Sequence, residues 1–225
     1  MSEKRYRTIA DRTTLAEFLD NAAAAQPVPG GGGVAALSGA LATSMIEMAL
    51  NFTTGRKKFA AVEGRAREIA VEIAACRRRL VELVTADGDA YDGVAAAMRM
   101  PKESDQEREV RRKALNAALA TALEPPLEMV RVMARAAAFV SETARIANPN
   151  LAGDVGVAAT ILPAAARAAA LNVWANFSAL DAAAGARIGA EVAGLVASIE
   201  RSCGEAYREI ECQIRPSQGP DLTLA

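Results

Sequence analysis

Apolar residues recur three and four positions apart over most of this 225-residue chain. Leu15, Phe18 and Leu19 form one such stripe, and this spacing places apolar side chains on one face of an α-helix. Few segments alternate β-branched or aromatic residues with polar ones, which argues against a β-sheet. Apolar residues make up 52% of the chain but aromatic residues only 4%, so the core must be built largely from small side chains such as alanine, the best helix former.

Capping and helix-breaking residues set the expected bounds of the helices. Thr14 with Glu17, like Ser104 with Glu107, matches a capping box that opens a helix. The segment 34–50 is apolar on nearly every side, yet it is short and polar for a membrane span, so we interpret it as a buried central helix. The expected helices cover residues 15–25, 34–50, 60–99, 105–144, 153–180 and 186–214. The fold prediction is all-α: residues 1–225 form a single helical domain, a bundle of long antiparallel helices.

Charge and cysteine content exclude several classes of protein. The formal net charge is −1 with both signs interspersed, so neither nucleic acid nor a membrane is an expected partner. Cys76, Cys203 and Cys212 are too few for a disulfide framework and lack the spacing of a zinc site. Residues 1–12 are charged and contain no apolar core of a signal peptide. A cytoplasmic location is therefore expected.

The chain contains no histidine, which limits the chemistry it can perform. A catalytic triad or dyad that uses histidine is excluded within one chain, and a zinc site of the usual kind is not expected. Any proton transfer must use carboxylates, lysine, tyrosine, cysteine or water.

Four consecutive glycines, Gly30, Gly31, Gly32 and Gly33, precede the most apolar helix. A glycine run can be a flexible linker, but prolines stiffen its N-terminal side and no second domain follows. Glycine lets backbone N–H groups approach a ligand closely, and the positive end of a helix favours anions or electron-rich groups. The run therefore has two interpretations, a linker or a binding turn.

Several polar residues lie within otherwise apolar segments. Asp87 shares a helix face with Tyr91, and burial there would raise the pKa of its carboxyl towards neutrality. Asn172 and Asn176 lie one helical turn apart and need partners, from another helix or from a ligand. Lys102 and Asp154 have simpler explanations, since a cation suits a helix C-terminus and an aspartate suits a helix start.

The order of these motifs resembles that of the cyclodeaminase/cyclohydrolase family, which includes the C-terminal domain of formiminotransferase-cyclodeaminase and stand-alone methenyltetrahydrofolate cyclohydrolases. Residues 27–41 (PVPGGGGVAALSGAL) are similar to its Pro-x-Pro-Gly-Gly-Gly-Ser opening, and further stretches match in the same order. These stretches are 51–58 (NFTTGRKK), 87–102, 126–127, 148–158 (NPNLAGDVGVA) and 172–176 (NVWAN). Gly33 and Gly153 stand where the family often has serine.

The resemblance implies a dimeric enzyme that acts on one-carbon units of tetrahydrofolate, without a metal or another cofactor. It places substrate binding at Gly30, Gly31, Gly32, Gly33, Arg56, Lys57, Asn172 and Asn176. It places catalysis at Asp87, Lys102 and Asp154. Among these, Asp87 is the acid–base candidate, Asp154 positions a cationic centre or its water, and Lys102 neutralises charge or holds a glutamate tail.

Two reactions occur in the family. The expected one is hydrolysis of 5,10-methenyltetrahydrofolate to 10-formyltetrahydrofolate, because the chain has no formiminotransferase domain to supply the other substrate. The alternative is a cyclodeaminase, which closes 5-formiminotetrahydrofolate with release of ammonia. A third possibility is a protein without catalysis, either a helical dimerisation protein or a folate-binding protein.

Overall fold

The helices of the computed structural model account for most of residues 13–215, the part of the chain that the structure describes. Residues 1–12, on which the signal-peptide prediction rests, lie outside it. No β-strand occurs between residues 13 and 215, so the all-α prediction is confirmed. The α-helices are α1 (Leu15–Ala23), α2 (Gly31–Asn51), α3 (Glu63–Met98), α4 (Asp105–Ala137), α5 (Val140–Ile146), α6 (Ala152–Ala175) and α7 (Ala182–Ile214). Short 3₁₀ turns lie at Lys57–Phe59, Pro149–Leu151 and Phe177–Ala179.

Both predicted capping boxes are present. The Glu17 N–H donates to the Thr14 hydroxyl at 3.2 Å, and the Thr14 N–H donates to the Glu17 carboxylate at 2.7 Å. Ser104 and Glu107 make the same reciprocal pair at 3.2 and 2.8 Å. Each box satisfies backbone donors that a helix start leaves without partners, which fixes where α1 and α4 begin.

Helix α2 lies at the centre of the bundle, between α3 and α6. Helix α4 follows α3 in the chain and packs against both α3 and α6. The buried residues of α2 are mostly alanine and glycine. A Cβ atom on Gly39 would lie 2.6 Å from Met133 Cε, so α2 and α4 approach closely here because position 39 lacks a side chain. Helix α7 covers α6 and α4 from the outside.

Helices α2 and α6 run in opposite directions, and the two helices are in contact at both ends. Gly31, at the start of α2, faces Asn172, near the end of α6. At the other end of the pair, the Asn148 N–H donates to the Thr53 hydroxyl at 2.8 Å. This bond joins the turn after α2 to the turn before α6.

One helix break differs from the prediction. Pro125 and Pro126 lie inside α4, and Pro163 lies inside α6, so none of them ends its helix. Helix α4 ends instead at Ala137, and α5 starts at Val140 after two residues that keep right-handed helical dihedrals. The sequence offered no glycine or proline at this break, which is why the prediction of one continuous helix was wrong there.

The expectation that α2 is buried on all sides is wrong for one face. Val34 is 44% exposed, Leu41 is 52% exposed and Phe52, just after the helix, is 47% exposed. Leu37, Met45 and Met48 lie between them at helical spacing and are half-buried. We refer to these six residues as the α2 stripe.

Three segments are long and apolar enough to cross a bilayer by length and composition alone. They are Gly31–Asn51, Pro149–Ala179 and Ala182–Ile214, and 56%, 50% and 17% of their most apolar windows are buried inside the bundle.

Candidate functional site

The glycine run forms the first turn of α2. Gly30 is the N-cap residue and the helix starts at Gly31, three residues before the start at residue 34 that we predicted. The first backbone N–H groups of a helix have no partner within the helix and carry the positive end of its dipole. The run is therefore the end of a buried helix, as a binding turn requires, and it joins no second domain among the described residues.

Asp87 of α3 lies directly against this turn. A Cβ atom on Gly32 would lie 2.5 Å from Asp87 Cγ, and nearer still to one carboxylate oxygen. Only a glycine at position 32 leaves room for the carboxylate. The Gly33 N–H donates to the same carboxylate, so the start of α2 holds Asp87 in place.

The pKa of Asp87 is raised above the ordinary value of an aspartate. Its main cause is the loss of hydration on burial, which disfavours the charged form. The hydrogen bond from the Gly33 N–H acts in the opposite direction but is the smaller effect. A carboxyl group with a raised pKa can take up and release a proton closer to neutral pH, which is what an acid–base group needs.

Two asparagines of α6 complete this end of the bundle. Asn172 donates its amide to the Ala168 carbonyl at 2.8 Å, and its Oδ1 lies 3.5 Å from the position a Gly31 Cβ would take. Its acceptor oxygen therefore faces the glycine turn. Asn176 donates to the carbonyls of Asn172 at 3.0 Å and of Ala122 at 3.2 Å, which ties α6 to α4.

Apolar residues near the glycine turn were not named as site residues from the sequence. A hollow of about 240 Å³ lies between α1, α2 and α3, with Phe18, Leu37 and Val84 in its wall. Further along α3, Tyr91 is 37% exposed on the same face as Asp87. Helical spacing marked these residues only as apolar, and it did not distinguish a pocket wall from the core.

The remaining predicted residues lie far from Asp87 within one chain. Asp154 is in the first turn of α6, eighteen residues before Asn172, which corresponds to about 27 Å along a helix. Arg56 and Lys57 follow α2 at this same end. Lys102 lies beyond the end of α3, which continues for eleven residues past Asp87, or about 17 Å. The structure thus brings together the glycines, Asp87 and Asn172, with Asn176 one turn away.

The end of the bundle that holds Asp154 has its own features. Asp154 is half-buried, and within the described chain its carboxylate has no hydrogen bond or ion pair. Arg56 and Lys57 are exposed and form no ion pair with any described residue. A hollow of about 440 Å³ lies near Asp154 between α6 and α7, with Val157 and Tyr207 in its wall. It is away from Asp87, so its size does not make it the reaction site.

No group of three or more metal-binding side chains occurs within residues 13–215. The titratable group at the glycine turn is a single carboxyl group, that of Asp87, next to backbone N–H groups and an amide. A carboxyl group with these neighbours can bind a polar, electron-poor group and transfer protons.

Comparison with known proteins gives consistent matches over most of the chain. The sequence model of the formiminotransferase-cyclodeaminase family matches residues 14–199. The methenyltetrahydrofolate cyclohydrolase of Methylorubrum extorquens is 36% identical over 173 residues, which cover 77% of this chain and 83% of that protein. The mouse formimidoyltransferase-cyclodeaminase is 30% identical over 164 residues, or 73% of this chain, but the match spans only 30% of the mouse protein.

A solved structure supports the same relationship. The crystal structure of formiminotetrahydrofolate cyclodeaminase from Thermotoga maritima superposes with a TM-score of 0.73 at 28% sequence identity. The superposition covers 89% of this chain and 95% of that one.

Proposed function

Because the chain belongs to the formiminotransferase-cyclodeaminase family, we propose that it is an enzyme of folate one-carbon metabolism and that it hydrolyses 5,10-methenyltetrahydrofolate to 10-formyltetrahydrofolate. The observation that carries the choice of reaction is the 36% identity to a methenyltetrahydrofolate cyclohydrolase, of which the match covers 83%. The contact between Asp87 and the first turn of α2 supplies the acid–base group that the reaction needs.

The proposed chemistry uses one carboxylate twice. Water adds to the methenyl carbon while Asp87 takes one of its protons, and the carbon becomes tetrahedral between N5 and N10. The bond from this carbon to N5 then breaks, Asp87 returns the proton to N5, and the remaining hydroxyl releases its proton to a water molecule as it becomes the formyl oxygen on N10. The ionised carboxylate also stabilises the cationic substrate before attack.

We propose that neither a metal nor another cofactor takes part, because the two steps form a C–O bond and break a C–N bond with proton transfers between oxygen and nitrogen, and no atom changes its oxidation state overall. Asn172 contributes its free acceptor oxygen beside Gly31, where it orients an N–H donor of the folate. Asn176 acts by holding α6 against α4, since its amide donates to two backbone carbonyls.

The second candidate is the cyclodeaminase reaction, favoured by the superposition on the Thermotoga maritima enzyme. In this reaction N10 attacks the carbon of the protonated formimino group, Asp87 takes the proton from N10 and passes it to the other nitrogen on that carbon, and the bond to this nitrogen breaks as it leaves as ammonia. The same carboxyl group serves both reactions, so the site geometry does not choose between them.

A spectroscopic assay with both folates tests these proposals. Methenyltetrahydrofolate absorbs in the near ultraviolet, so hydrolysis removes the absorbance and cyclodeamination of formiminotetrahydrofolate creates it. We expect loss of absorbance with the first substrate, faster than in buffer alone. Turnover of only the formimino substrate would replace the proposal with the cyclodeaminase. No turnover of either substrate would leave a folate-binding or helical dimerisation protein.

We further propose that the chain is a cytoplasmic homodimer that binds neither membranes nor nucleic acid, with the α2 stripe in the dimer interface. The stripe is apolar along the whole of α2, and most soluble oligomers are closed and symmetric. Leu41→Lys places a charge in the middle of the stripe and should yield a monomer in light scattering, whereas Val71→Lys, at an exposed position of α3, should not. A wild-type protein that is monomeric, or that floats with lipid vesicles, would refute this assignment of the stripe.

A further inference from the structure

Two consecutive prolines in α4 leave one backbone carbonyl without a donor from its own helix. In an α-helix the carbonyl of residue 122 accepts the N–H of residue 126, and in a 3₁₀-helix it accepts the N–H of residue 125. Both positions are prolines, which have no N–H. The Ala122 carbonyl therefore loses both of these donors, whereas the Thr121 carbonyl keeps one of them, the N–H of Glu124.

The side-chain amide of Asn176 supplies the missing donor. Its nitrogen donates to the Ala122 carbonyl at 3.2 Å and to the Asn172 carbonyl at 3.0 Å. The Asn172 carbonyl lies in the last turn of α6, where the backbone N–H of Asn176 donates instead to the Val173 carbonyl at 3.1 Å. One amide group thus satisfies a carbonyl that the prolines leave open in α4 and a second carbonyl at the end of α6. Each of its two protons has an acceptor.

Apolar packing at this link joins α4 to the end of α6. Leu123 and Leu127, on either side of the two prolines, lie in one buried cluster with Val173 of α6. Asn172 is the residue before Val173, and its Oδ1 faces Gly31 at the start of α2. The position of the last turn of α6 against α4 therefore also sets where the Asn172 oxygen lies beside the glycine turn.

We propose that Asn176 is a positioning residue for the reaction site and that Pro125 and Pro126 create the acceptor on which it acts. The link holds the last turn of α6, and so it holds the Asn172 oxygen where the substrate binds. Asn176 offers no amide proton to the substrate, because backbone carbonyls accept both. The inference rests on the proposed function, in which Asn172 accepts a hydrogen bond from the folate.

A double-mutant cycle tests the link without turnover. Asn176→Ala removes two hydrogen bonds and should lower the melting temperature by about 4–8 °C in a domain of this size. Pro126→Ala restores the N–H that the helix directs at the Ala122 carbonyl. In the Pro126→Ala background, Asn176→Ala should lower the melting temperature by about half as much, because only the Asn172 carbonyl then loses its donor.

Pro125→Ala is the matched control for this cycle. Pro125 and Pro126 are both buried inside α4, so the two substitutions remove the same ring atoms from similar surroundings. The N–H restored at position 125 is directed four residues back, at Thr121 instead of Ala122. In this background Asn176→Ala should keep its full effect on the melting temperature. An equal effect in the wild-type, Pro125→Ala and Pro126→Ala backgrounds would overturn the proposed link.

Steady-state kinetics test the positioning role. Asn176→Ala should raise KM for methenyltetrahydrofolate by about 3–10-fold, the equivalent of one hydrogen bond. The pH–rate profile should stay unchanged, because α2 and α3 hold Asp87. The raised KM should persist in Asn176→Ala/Pro126→Ala, where the Ala122 carbonyl has a donor but α4 and α6 are no longer linked. A residue that only stabilises the fold would not separate KM from stability in this way. An unchanged KM in Asn176→Ala, or a wild-type KM in the double variant, would overturn the positioning role.

Trp174 gives a reading of binding that needs no turnover. It is the only tryptophan of the chain, it is 47% exposed, and it lies between Asn172 and Asn176 in the sequence. Methenyltetrahydrofolate absorbs in the near ultraviolet, where tryptophan emits, so its binding should quench the fluorescence of Trp174.

This titration separates the possible failures. If the wild-type protein turns over neither folate, a dissociation constant that rises about 3–10-fold in Asn176→Ala would refute the proposed reaction and support the positioning role. An unchanged dissociation constant would refute the positioning role as well. A protein that hydrolyses methenyltetrahydrofolate but gives an additive cycle would keep the proposed function and lose the proposed link.

Discussion

Substitution of Gly32 by alanine tests the central contact of the proposed site. The new methyl group would start 2.5 Å from Asp87 Cγ, whereas ordinary contact begins at 3.4 Å. The carboxyl group must therefore move by about 0.9 Å, the difference between these two distances. Asp87 is a short side chain on a packed helix, so this movement also breaks or lengthens its hydrogen bond from the Gly33 N–H.

The expected consequence is a large loss of turnover with a small change in stability. A displacement of about 1 Å in a catalytic group can cost about 10²-fold in rate, so we expect kcat to fall by about this factor. Alanine is a better helix former than glycine by about 0.5–1 kcal/mol, which offsets part of the cost of the contact. The loss of methenyltetrahydrofolate absorbance gives the rate, and thermal unfolding gives the stability.

The neighbouring glycines provide matched controls. A Cβ atom on Gly31 or Gly33 would meet its nearest neighbour at 3.5 Å, which is an ordinary contact. Gly31→Ala and Gly33→Ala should therefore keep most of the activity. The double variant Gly32→Ala/Asp87→Ala should unfold at a higher temperature than Gly32→Ala, because the clash is gone. If Gly32→Ala keeps the wild-type kcat, the reasoning is refuted, because turnover would then not depend on the position of the Asp87 carboxylate.

Three further predictions concern charge and packing. Asp87→Asn should lower kcat by about 10²–10⁴-fold and abolish the acidic limb of the pH–rate profile. Because burial raises the folded-state pKa of Asp87, the folded wild type binds more protons than the unfolded chain between the ordinary carboxyl pKa and the raised one. Wild-type stability should therefore fall as pH rises through this window, and Asp87→Asn should gain stability over wild type only above it, as measured by denaturant titration at several pH values. Glu47→Gln removes the half-buried 2.6 Å ion pair with Arg77 that joins α2 to α3, and it should lower the free energy of unfolding by about 1 kcal/mol. As a control, Glu82→Gln removes an exposed ion pair with Arg79 and should lower it by less than about 0.5 kcal/mol. Gly39→Val should cost about 1–3 kcal/mol because its side chain meets Met133, whereas Gly194→Ala, with open space around it, should not lower the melting temperature.

The sequence predicted helices well where their ends carry chemical signals. Thr14 and Ser104 are capping residues with a glutamate three positions later, and both helices begin where the boxes predict. The break after Ala137 has no such signal, because it depends on how α5 packs against α6 and α7. Pro125 and Pro126 are both buried inside α4, and tertiary packing holds the helix together through them.

The sequence singled out some residues of the candidate site but did not show which of them lie together. Asp87 and Asn172 were both named because they are polar residues in apolar segments, and the fold brings them to the same helix end. The predicted helix 153–180 already separates Asp154 from Asn172 by eighteen residues. The sequence does not show, however, which residues of the other helices lie beside each end of this helix. The roles of Lys102 and Asp154 therefore stay predictions.

The small side chains between α2 and α6 set how sensitive the site is to distant changes. Ala42, midway along α2, is fully buried, as are Ala165 and Ala166 of α6. Alanine has no side-chain rotamers, so these positions cannot absorb an added atom by a change of rotamer. A larger residue at position 42, about 17 Å along the helix from Gly31, would therefore push the two backbones apart as rigid rods. Variation that changes the rate of this enzyme should accordingly be found along the α2–α6 interface as well as beside Asp87.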